Sequence, residues 1–177
     1  MPRLFAAIVP PAPVIDALID TMEALENARW QDDEQLHLTL AFLGDVPPVK
    51  VDDLVGSLSR VNFEPFALEV KGVGHFEHKG RVHAVWAGVA PGPALLALQA
   101  SVAQACAAAG CPPDQRRYLP HITLARMNRG GADLPAWLAR HALLALPPFT
   151  VARFALFEST LAHGGAVYTP LAEFACQ

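Results

Sequence analysis

The chain has 177 residues, of which 53% are hydrophobic and 17% charged, a length and composition typical of one folded domain rather than a disordered chain. Its formal net charge of −4 argues against a protein that coats nucleic acid nonspecifically. The same charge leaves open an enzyme that holds only the end of an RNA.

Predicted strands and helices alternate along the chain, with apolar residues at helical spacing or in short runs bounded by turn residues. In chain order we expect strand 4–9, helix 14–25, strand 36–43, helix 49–60, strand 66–71, turn 74–80, strand 82–89, helix 95–110, strand 122–127, helix 134–144 and strands 149–158 and 166–174. Strand 82–89 is expected to form a hairpin with strand 66–71. The pattern predicts an α+β or mixed α/β class rather than a regular parallel sheet.

The cellular location is predicted from the first residues and from the cysteines. The N-terminus lacks the features of a signal peptide, and the uncharged stretch 82–113 is broken by Pro91 and Pro93, so no membrane span is expected. The three cysteines are Cys106, Cys111 and Cys176, an odd number without metal-binding spacing. We expect reduced thiols in a cytoplasmic protein.

One five-residue pattern occurs twice, at residues 37–41 and again 84 residues later at 121–125. Both copies read His-aliphatic-Thr-Leu-Ala and lie in predicted strands. Because side chains two apart on a strand share a face, each copy directs an imidazole and a hydroxyl to the same side. Two such strands side by side about a pseudo-two-fold axis would present His37, Thr39, His121 and Thr123 to one cleft.

Two histidines and two threonines in one cleft suit the cleavage of a phosphodiester. A neutral histidine can take a proton from an attacking water, and a protonated one can give a proton to the leaving oxygen. The threonine hydroxyls can donate hydrogen bonds to the nonbridging oxygens of the phosphate. A single His-x-Thr is commonly just part of an ordinary strand, but the repetition with the same flanking residues favours catalysis.

Around these motifs the sequence resembles a known family, the two-histidine (2H) phosphoesterases, and in particular the RNA 2′,3′-cyclic phosphodiesterases, also called 2′-5′ RNA ligases. The resemblance extends over nearly the whole chain. Besides both motifs it rests on the segments 3–7, 30, 85–88, 157–159 and 168–171, and most specifically on 120–126, Pro-His-Ile-Thr-Leu-Ala-Arg.

The resemblance implies a single bilobal domain over residues 1–177, with two pseudo-symmetric antiparallel sheet lobes and outer helices around a central groove. It implies hydrolysis of a terminal 2′,3′-cyclic phosphate to a 2′-phosphate, without metal or other cofactor, and reversible ATP-independent 2′-5′ joining of RNA ends. The implied partners are RNA ends or nucleoside 2′,3′-cyclic phosphates, and we expect a monomer. By analogy His121 is the base and His37 the acid, but the repeat is symmetrical and the reverse order stays open.

Further site residues are expected on weaker grounds. Arg126 is a predicted phosphate contact by resemblance, although strand alternation places it on the face opposite His121 unless a bulge intervenes. The remaining predicted contacts with a base or with RNA are Phe42, Trp30, Arg117 and Tyr168. His75, Glu77 and His78 could be drawn as metal ligands, but they lie in a predicted turn without a third ligand at diagnostic spacing.

Two other functions compete with RNA-end hydrolysis. The same chemistry could act on a small cyclic nucleotide or another cyclic phosphate, which a closed pocket would favour over a wide basic groove. A binding module for nucleotides or RNA ends that has lost catalysis is the third interpretation. The intact His–Thr pairs argue against it, because binding alone does not require two proton-transfer groups.

Overall fold

The computed structural model describes residues 1–129 and 131–177, in which it shows antiparallel strands, four α-helices and a 3₁₀ turn. The strands are β1 (Arg3–Ile8), β2 (Ala28–Trp30), β3 (Leu38–Asp45), β4 (Phe66–Leu68), β5 (Val70–His78), β6 (Arg81–Val89), β7 (His121–Met127), β8 (Phe149–Val151), β9 (Arg153–Ala162) and β10 (Gly165–Ala175). The helices are α1 (Ala12–Ile19), α2 (Val51–Leu58), α3 (Pro93–Ala108) and α4 (Leu134–His141), and the 3₁₀ turn is Pro48–Lys50. The predicted α+β class is confirmed.

One antiparallel sheet of eight strands contains both histidine motifs. Seven strands lie in the order β10-β9-β1-β3-β7-β6-β5, β2 pairs with β7, and β4 and β8 form a separate two-stranded sheet. The central strands β3 and β7 share one paired position, Leu38 opposite Ile122. At this junction the sheet divides into a His37 lobe (β3, β1, β9 and β10) and a His121 lobe (β7, β6, β5 and β2).

The segment before each histidine crosses to the strand of the other histidine. β2 precedes His37 in the chain but pairs with β7, and the Gln31 amide then donates a 2.8 Å hydrogen bond to the Leu124 carbonyl. In the reciprocal direction, the Asp114 amide donates to the Phe42 carbonyl at 3.0 Å and the Tyr118 hydroxyl to the Thr39 carbonyl at 2.9 Å. These crossed segments hold the lobes together where the direct ladder is short.

The helices and the aliphatic residues of both motifs form the core on one face of the sheet. Its buried residues include, from the motifs, Leu38, Leu40, Ile122 and Leu124, and from α2 and α3, Leu54, Leu58, Leu95, Leu98 and Val102. Burial of this apolar surface stabilises the sheet and leaves the opposite face of the motifs to polar side chains. Within the described residues, no helix combines the length and the apolar character needed to span a bilayer.

The hairpin of β5 and β6 differs from the prediction, which made residues 74–80 a turn. β5 continues to His78, and the turn is confined to Lys79 and Gly80, both with left-handed φ angles of 51° and 77°. Gly74 lies within the strand, opposite Trp86, and a Cβ there would overlap the indole ring. The glycine therefore makes room for a cross-strand aromatic ring rather than a turn.

The first helix is shorter than predicted. α1 ends at Ile19, and Ala24 and Asn27 then adopt left-handed φ angles of 51° and 62°, which no helix continues through. Leu25 is nevertheless buried. Its apolar spacing from α1 predicted burial correctly and helical structure wrongly.

Candidate active site

The register of β3 and β7 brings the two motifs to one place. Leu38 and Ile122, the residues that follow the two histidines, lie directly opposite each other. One residue outward in this antiparallel register, His37 faces Thr123 and His121 faces Thr39. Residues directly opposite have Cβ atoms about 5 Å apart, and diagonal neighbours about 7–8 Å apart. All four side chains therefore share the face opposite the core, where each is half-buried.

His37 is oriented by the backbone two residues before it. Its Nδ1 lies 2.7 Å from the Gln35 carbonyl oxygen, and because a carbonyl only accepts, Nδ1 carries the hydrogen. In the neutral ring the lone pair is then on Nε2, where the Thr39 hydroxyl donates a hydrogen bond at 3.0 Å. The tautomer needed for proton transfer through Nε2 is thus set by main-chain geometry.

His121 repeats this arrangement. Its Nδ1 donates to the Leu119 carbonyl oxygen at 2.6 Å, again two residues earlier, and this leaves Nε2 as the lone-pair atom of the neutral ring. The same hydrogen bond from Nδ1 to the carbonyl two residues earlier therefore accompanies both copies of the motif.

Both histidines favour the neutral form in this site. Burial is the main cause that lowers the pKa of His37 to about 4; the hydrogen bond to Gln35 opposes it, and the charges of His121 and Arg126 lower it further. Burial also lowers the pKa of His121, the bond to Leu119 opposes this, and the charge of Arg126 adds to it. Arg126 therefore acts electrostatically on both imidazoles.

Aromatic rings account for the burial of each histidine. On one side the ring centroid of His37 lies 4.8 Å from that of Phe5 and 5.2 Å from that of Tyr168. On the other, the centroid of His121 lies 4.8 Å from that of Phe76 and 5.9 Å from that of Trp86. Rings that exclude water from an imidazole disfavour its charged form.

A β-bulge at the same position of both motifs adds a fifth and a sixth side chain. The pairing of β3 with β1 skips Leu40, and the pairing of β7 with β6 skips Leu124. Each extra residue reverses the strand alternation that follows. Phe42 and Arg126 are thereby placed on the same face as the histidines, and both are exposed, Phe42 by 37%. Arg126 thus has the bulge that its predicted role required.

The carbonyls of the two bulged residues are hydrogen-bonded from outside the ladder. The Gln99 side chain on α3 donates to the Leu40 carbonyl at 3.3 Å, and the backbone N–H of Gln31 donates to the Leu124 carbonyl at 2.8 Å. Since an unpaired buried carbonyl is costly, these donors stabilise the bulges. Gln99 and Gln31 thereby help to keep Phe42 and Arg126 on the active-site face.

Of the other predicted contacts, the structure places some beside the histidines and others elsewhere. Tyr168 lies beside His37, whereas Trp30 packs on the core side of β2, 6.1 Å between ring centroids from Trp137, and is not part of the cleft face. Arg117 is exposed on the segment that leads to His121. Among residues 1–129 and 131–177 no three His, Cys, Asp or Glu side chains are grouped as metal ligands; His75 lies 3.9 Å from Glu77 on β5.

Several site residues escaped sequence analysis. Phe5, Phe76 and Trp86 surround the histidines, yet an aromatic residue on a strand gives no sign of which face it occupies. A usable signal existed for Trp86, because Gly74 is a glycine within an otherwise strand-forming run and can mark the close approach of a ring.

Comparison with known proteins places this geometry in a family context. Residues 10–162 match the model of the 2′-5′ RNA ligase superfamily. The RNA 2′,3′-cyclic phosphodiesterase of Escherichia coli K12 is 32% identical over 182 residues, covering 98% of this chain and 96% of that protein. The enzyme of the same name from Geobacillus stearothermophilus is 34% identical over 80% of this chain, and the match spans only 46% of that longer relative.

Solved structures agree with these relatives. The crystal structure of E. coli LigT complexed with 3′-AMP superposes with a TM-score of 0.80 at 30% identity, covering 99% of this chain and 98% of that one. The crystal structure of the Thermus thermophilus protein TT0787 gives a TM-score of 0.79 at 28% identity, with 98% and 97% coverage.

Proposed function

This chain belongs to the 2′-5′ RNA ligase superfamily, and we propose that it hydrolyses the 2′,3′-cyclic phosphate at an RNA 3′ end to a 2′-phosphate. The observation that carries the proposal is the pairing of Leu38 with Ile122, which supports two His–Thr pairs on one face. The curated relatives named RNA 2′,3′-cyclic phosphodiesterase and the LigT complex with 3′-AMP support the substrate class.

In the proposed reaction a water oxygen attacks phosphorus while the bond from phosphorus to the 3′ oxygen breaks. One imidazole takes the proton from water through Nε2, and the other gives a proton to the departing 3′ oxygen. Each proton transfer contributes about 10² to 10⁴ in rate. In the substrate complex the Thr39 hydroxyl would turn from Nε2 of His37 to the phosphate, so that Thr39, Thr123 and Arg126 donate hydrogen bonds to the nonbridging oxygens, where charge develops.

The roles of acid and base can be assigned in two orders. Family resemblance makes His121 the base and His37 the acid. The lower pKa of His37, about 4, favours a neutral His37 in the ligand-free site and thus the opposite order. A cyclic substrate with sulfur in place of the 3′ oxygen distinguishes them, because a thiolate leaves without a proton. That substrate should rescue the variant that lacks the acid and not the variant that lacks the base.

The first experiment follows an oligoribonucleotide ending in 2′,3′-cyclic phosphate, incubated in excess EDTA with the wild type, His37→Ala and His121→Ala. We expect conversion to the 2′-phosphate by the wild type, and a loss of about 10² or more in each variant. His163→Ala, in the exposed turn between β9 and β10, is the matched control and should retain activity.

Three outcomes would contradict the proposal. No turnover by folded wild type would remove RNA-end hydrolysis and favour another cyclic phosphate or binding alone. A 3′-phosphate product would reverse the direction of ring opening. Turnover that stops in EDTA would replace the two-histidine mechanism with a metal-dependent one.

We also propose that the same ring-opening chemistry joins RNA ends. A 5′ hydroxyl in place of water would attack the cyclic phosphate and expel the 3′ oxygen, leaving a 2′-5′ linkage without ATP.

The monomer should suffice, because both His–Thr pairs come from one chain. The free thiols of Cys106, Cys111 and Cys176 agree with a reducing cytoplasmic location, which immunofluorescence or fractionation would test.

A further inference from the structure

Arg29, the middle residue of β2, lies on the active-site face. Its neighbours Ala28 and Trp30 pack towards the core, so alternation along the strand directs Arg29 to the other side, where it is exposed. In the pairing of β2 with β7, Arg29 is directly opposite Arg126. The crossed segment before His37 thus brings a second guanidinium to the face on which the phosphate is expected.

The two arginines face each other without an acidic partner. In the described part of the chain, neither Arg29 nor Arg126 forms an ion pair or a side-chain hydrogen bond. By contrast, Arg116 lies 2.6 Å from Asp114 and Arg153 lies 3.7 Å from Glu173. Like charges directly opposite on an antiparallel pair are destabilising, and this chain has 17 acidic residues against 13 basic ones. Anionic groups bound at the two arginines would relieve that repulsion.

The position of Arg29 separates it from the reacting phosphate. The bulge at Leu124 directs Arg126 to the face of the two histidines, where the proposed reaction has it contact the cyclic phosphate. Arg29 lies on the neighbouring strand, at a spacing of about 4.8 Å from β7. The next anion along an RNA strand is the phosphodiester on the 5′ oxygen of the terminal nucleotide. A nucleoside 2′,3′-cyclic phosphate has no such group.

We propose that Arg29 binds this 5′ phosphodiester, so that the preferred substrate is an RNA strand of at least two nucleotides rather than a free nucleoside 2′,3′-cyclic phosphate. The inference rests on the proposed function and specifies its substrate class. Arg29 contributes affinity for the strand, since contacts to phosphate oxygens position nucleic acid without reading its sequence. Arg126 remains the contact to the phosphate that reacts.

The test compares kcat/KM for a dinucleotide ending in 2′,3′-cyclic phosphate with kcat/KM for the nucleoside 2′,3′-cyclic phosphate of the same terminal base. The wild type should prefer the dinucleotide, and Arg29→Ala should lower that ratio by about tenfold, as expected for one charge-assisted contact. Arg29→Lys should fall between the two. In the wild type the ratio should also decrease with salt, because an additional phosphate contact releases counterions.

Arg60→Ala is the matched control, an exposed arginine after α2 whose loss changes the net charge equally. It should leave the ratio unchanged. A wild-type ratio near one, an unchanged ratio in Arg29→Ala, or equal losses on both substrates would each overturn the assignment of Arg29 while leaving the proposed function intact. A folded wild type that hydrolyses neither substrate would overturn both.

Discussion

The His37 lobe and the His121 lobe contribute the same five-residue pattern to the candidate active site. They also share the hydrogen bond from Nδ1 to the carbonyl two residues earlier and a bulge at the equivalent leucine of each motif. Their side chains beyond the bulge differ. The His37 lobe presents Phe42, with the Arg3 guanidinium 5.3 Å from its ring centroid, whereas the His121 lobe presents Arg126.

This difference continues along the two lobes. Next to Phe42 lie the stacked rings of Phe5 and Phe157, with centroids 5.3 Å apart, so the His37 lobe lines the site with aromatic rings. Next to Arg126 lies Arg29, so the His121 lobe offers positive charge. The duplicated backbone thus presents two equivalent imidazoles, while the unequal side chains are those that the proposed substrate, with a base on one side and phosphates on the other, would require.

Of the substitutions that test the difference between the lobes, Arg126→Ala is expected to have the largest effect on activity. Removing a donor aimed at the nonbridging oxygens should lower kcat by about 10² to 10³. Arg126→Lys keeps the charge without the bidentate geometry and should recover part of the rate. Steady-state kinetics on the cyclic-phosphate oligonucleotide measures both. A loss of kcat below tenfold in Arg126→Ala would mean that Arg126 of the His121 lobe does not contact the reacting phosphate.

Phe42→Ala should have a smaller effect, and mainly on KM. If the terminal base stacks on this exposed ring, losing the ring should raise KM by about tenfold with a lesser change in kcat. Phe42→Tyr, which keeps the ring, is the control. Equal KM values for the wild type, Phe42→Ala and Phe42→Tyr would show that Phe42 of the His37 lobe does not hold the base.

The unequal pKa values of the histidines provide a test within the folded protein. In an NMR titration, His37 should titrate near pH 4 and His121 at a higher pH that is still below 6.5. Tyr168→Ala should admit water beside His37 and raise its pKa, while Val167→Ala, an exposed neighbour, should not. If His37 in the wild type titrated at or above the pH at which His121 does, the contrast between the lobes would be wrong.

Acid should also destabilise the fold in the same pH range. Because the folded protein lowers both pKa values, the unfolded chain binds more protons once the pH falls below 6.5, so the free energy of unfolding should decrease progressively towards pH 4. Urea denaturation at a series of pH values measures this decrease. His37→Asn, which cannot be protonated, should reduce the slope, and an unchanged slope would contradict the burial of His37.

The smallest effect is expected at the crossed segments. Tyr118→Phe removes the hydrogen bond to the Thr39 carbonyl and should lower the free energy of unfolding by about 1 kcal/mol, with little change in kcat. Chemical denaturation measures the first and steady-state kinetics the second. A large loss of kcat with unchanged stability would instead give Tyr118 a direct part in catalysis.

Features that depend on local pattern could be predicted from the residues alone. The repeated motif indicated the family, which the family model confirms, and the end of α3 just before Gly110 was recognisable because glycine accepts the left-handed φ of 76° found there. Strand alternation separated each histidine and threonine from the aliphatic residue between them, and Leu38 and Ile122 are indeed buried. These features are encoded within a few residues of one another.

The side chains that join the histidines depend instead on the pairing of distant strands. A bulge requires two residues of one strand to oppose a single residue of its partner, so no count along β7 alone could place Arg126 on the face of His121. For the same reason β2, with Arg29 outward and Trp30 inward, was not predicted: three residues become a strand only by pairing with β7. The sequence specifies the two His–Thr pairs, and the tertiary structure decides which side chains surround them.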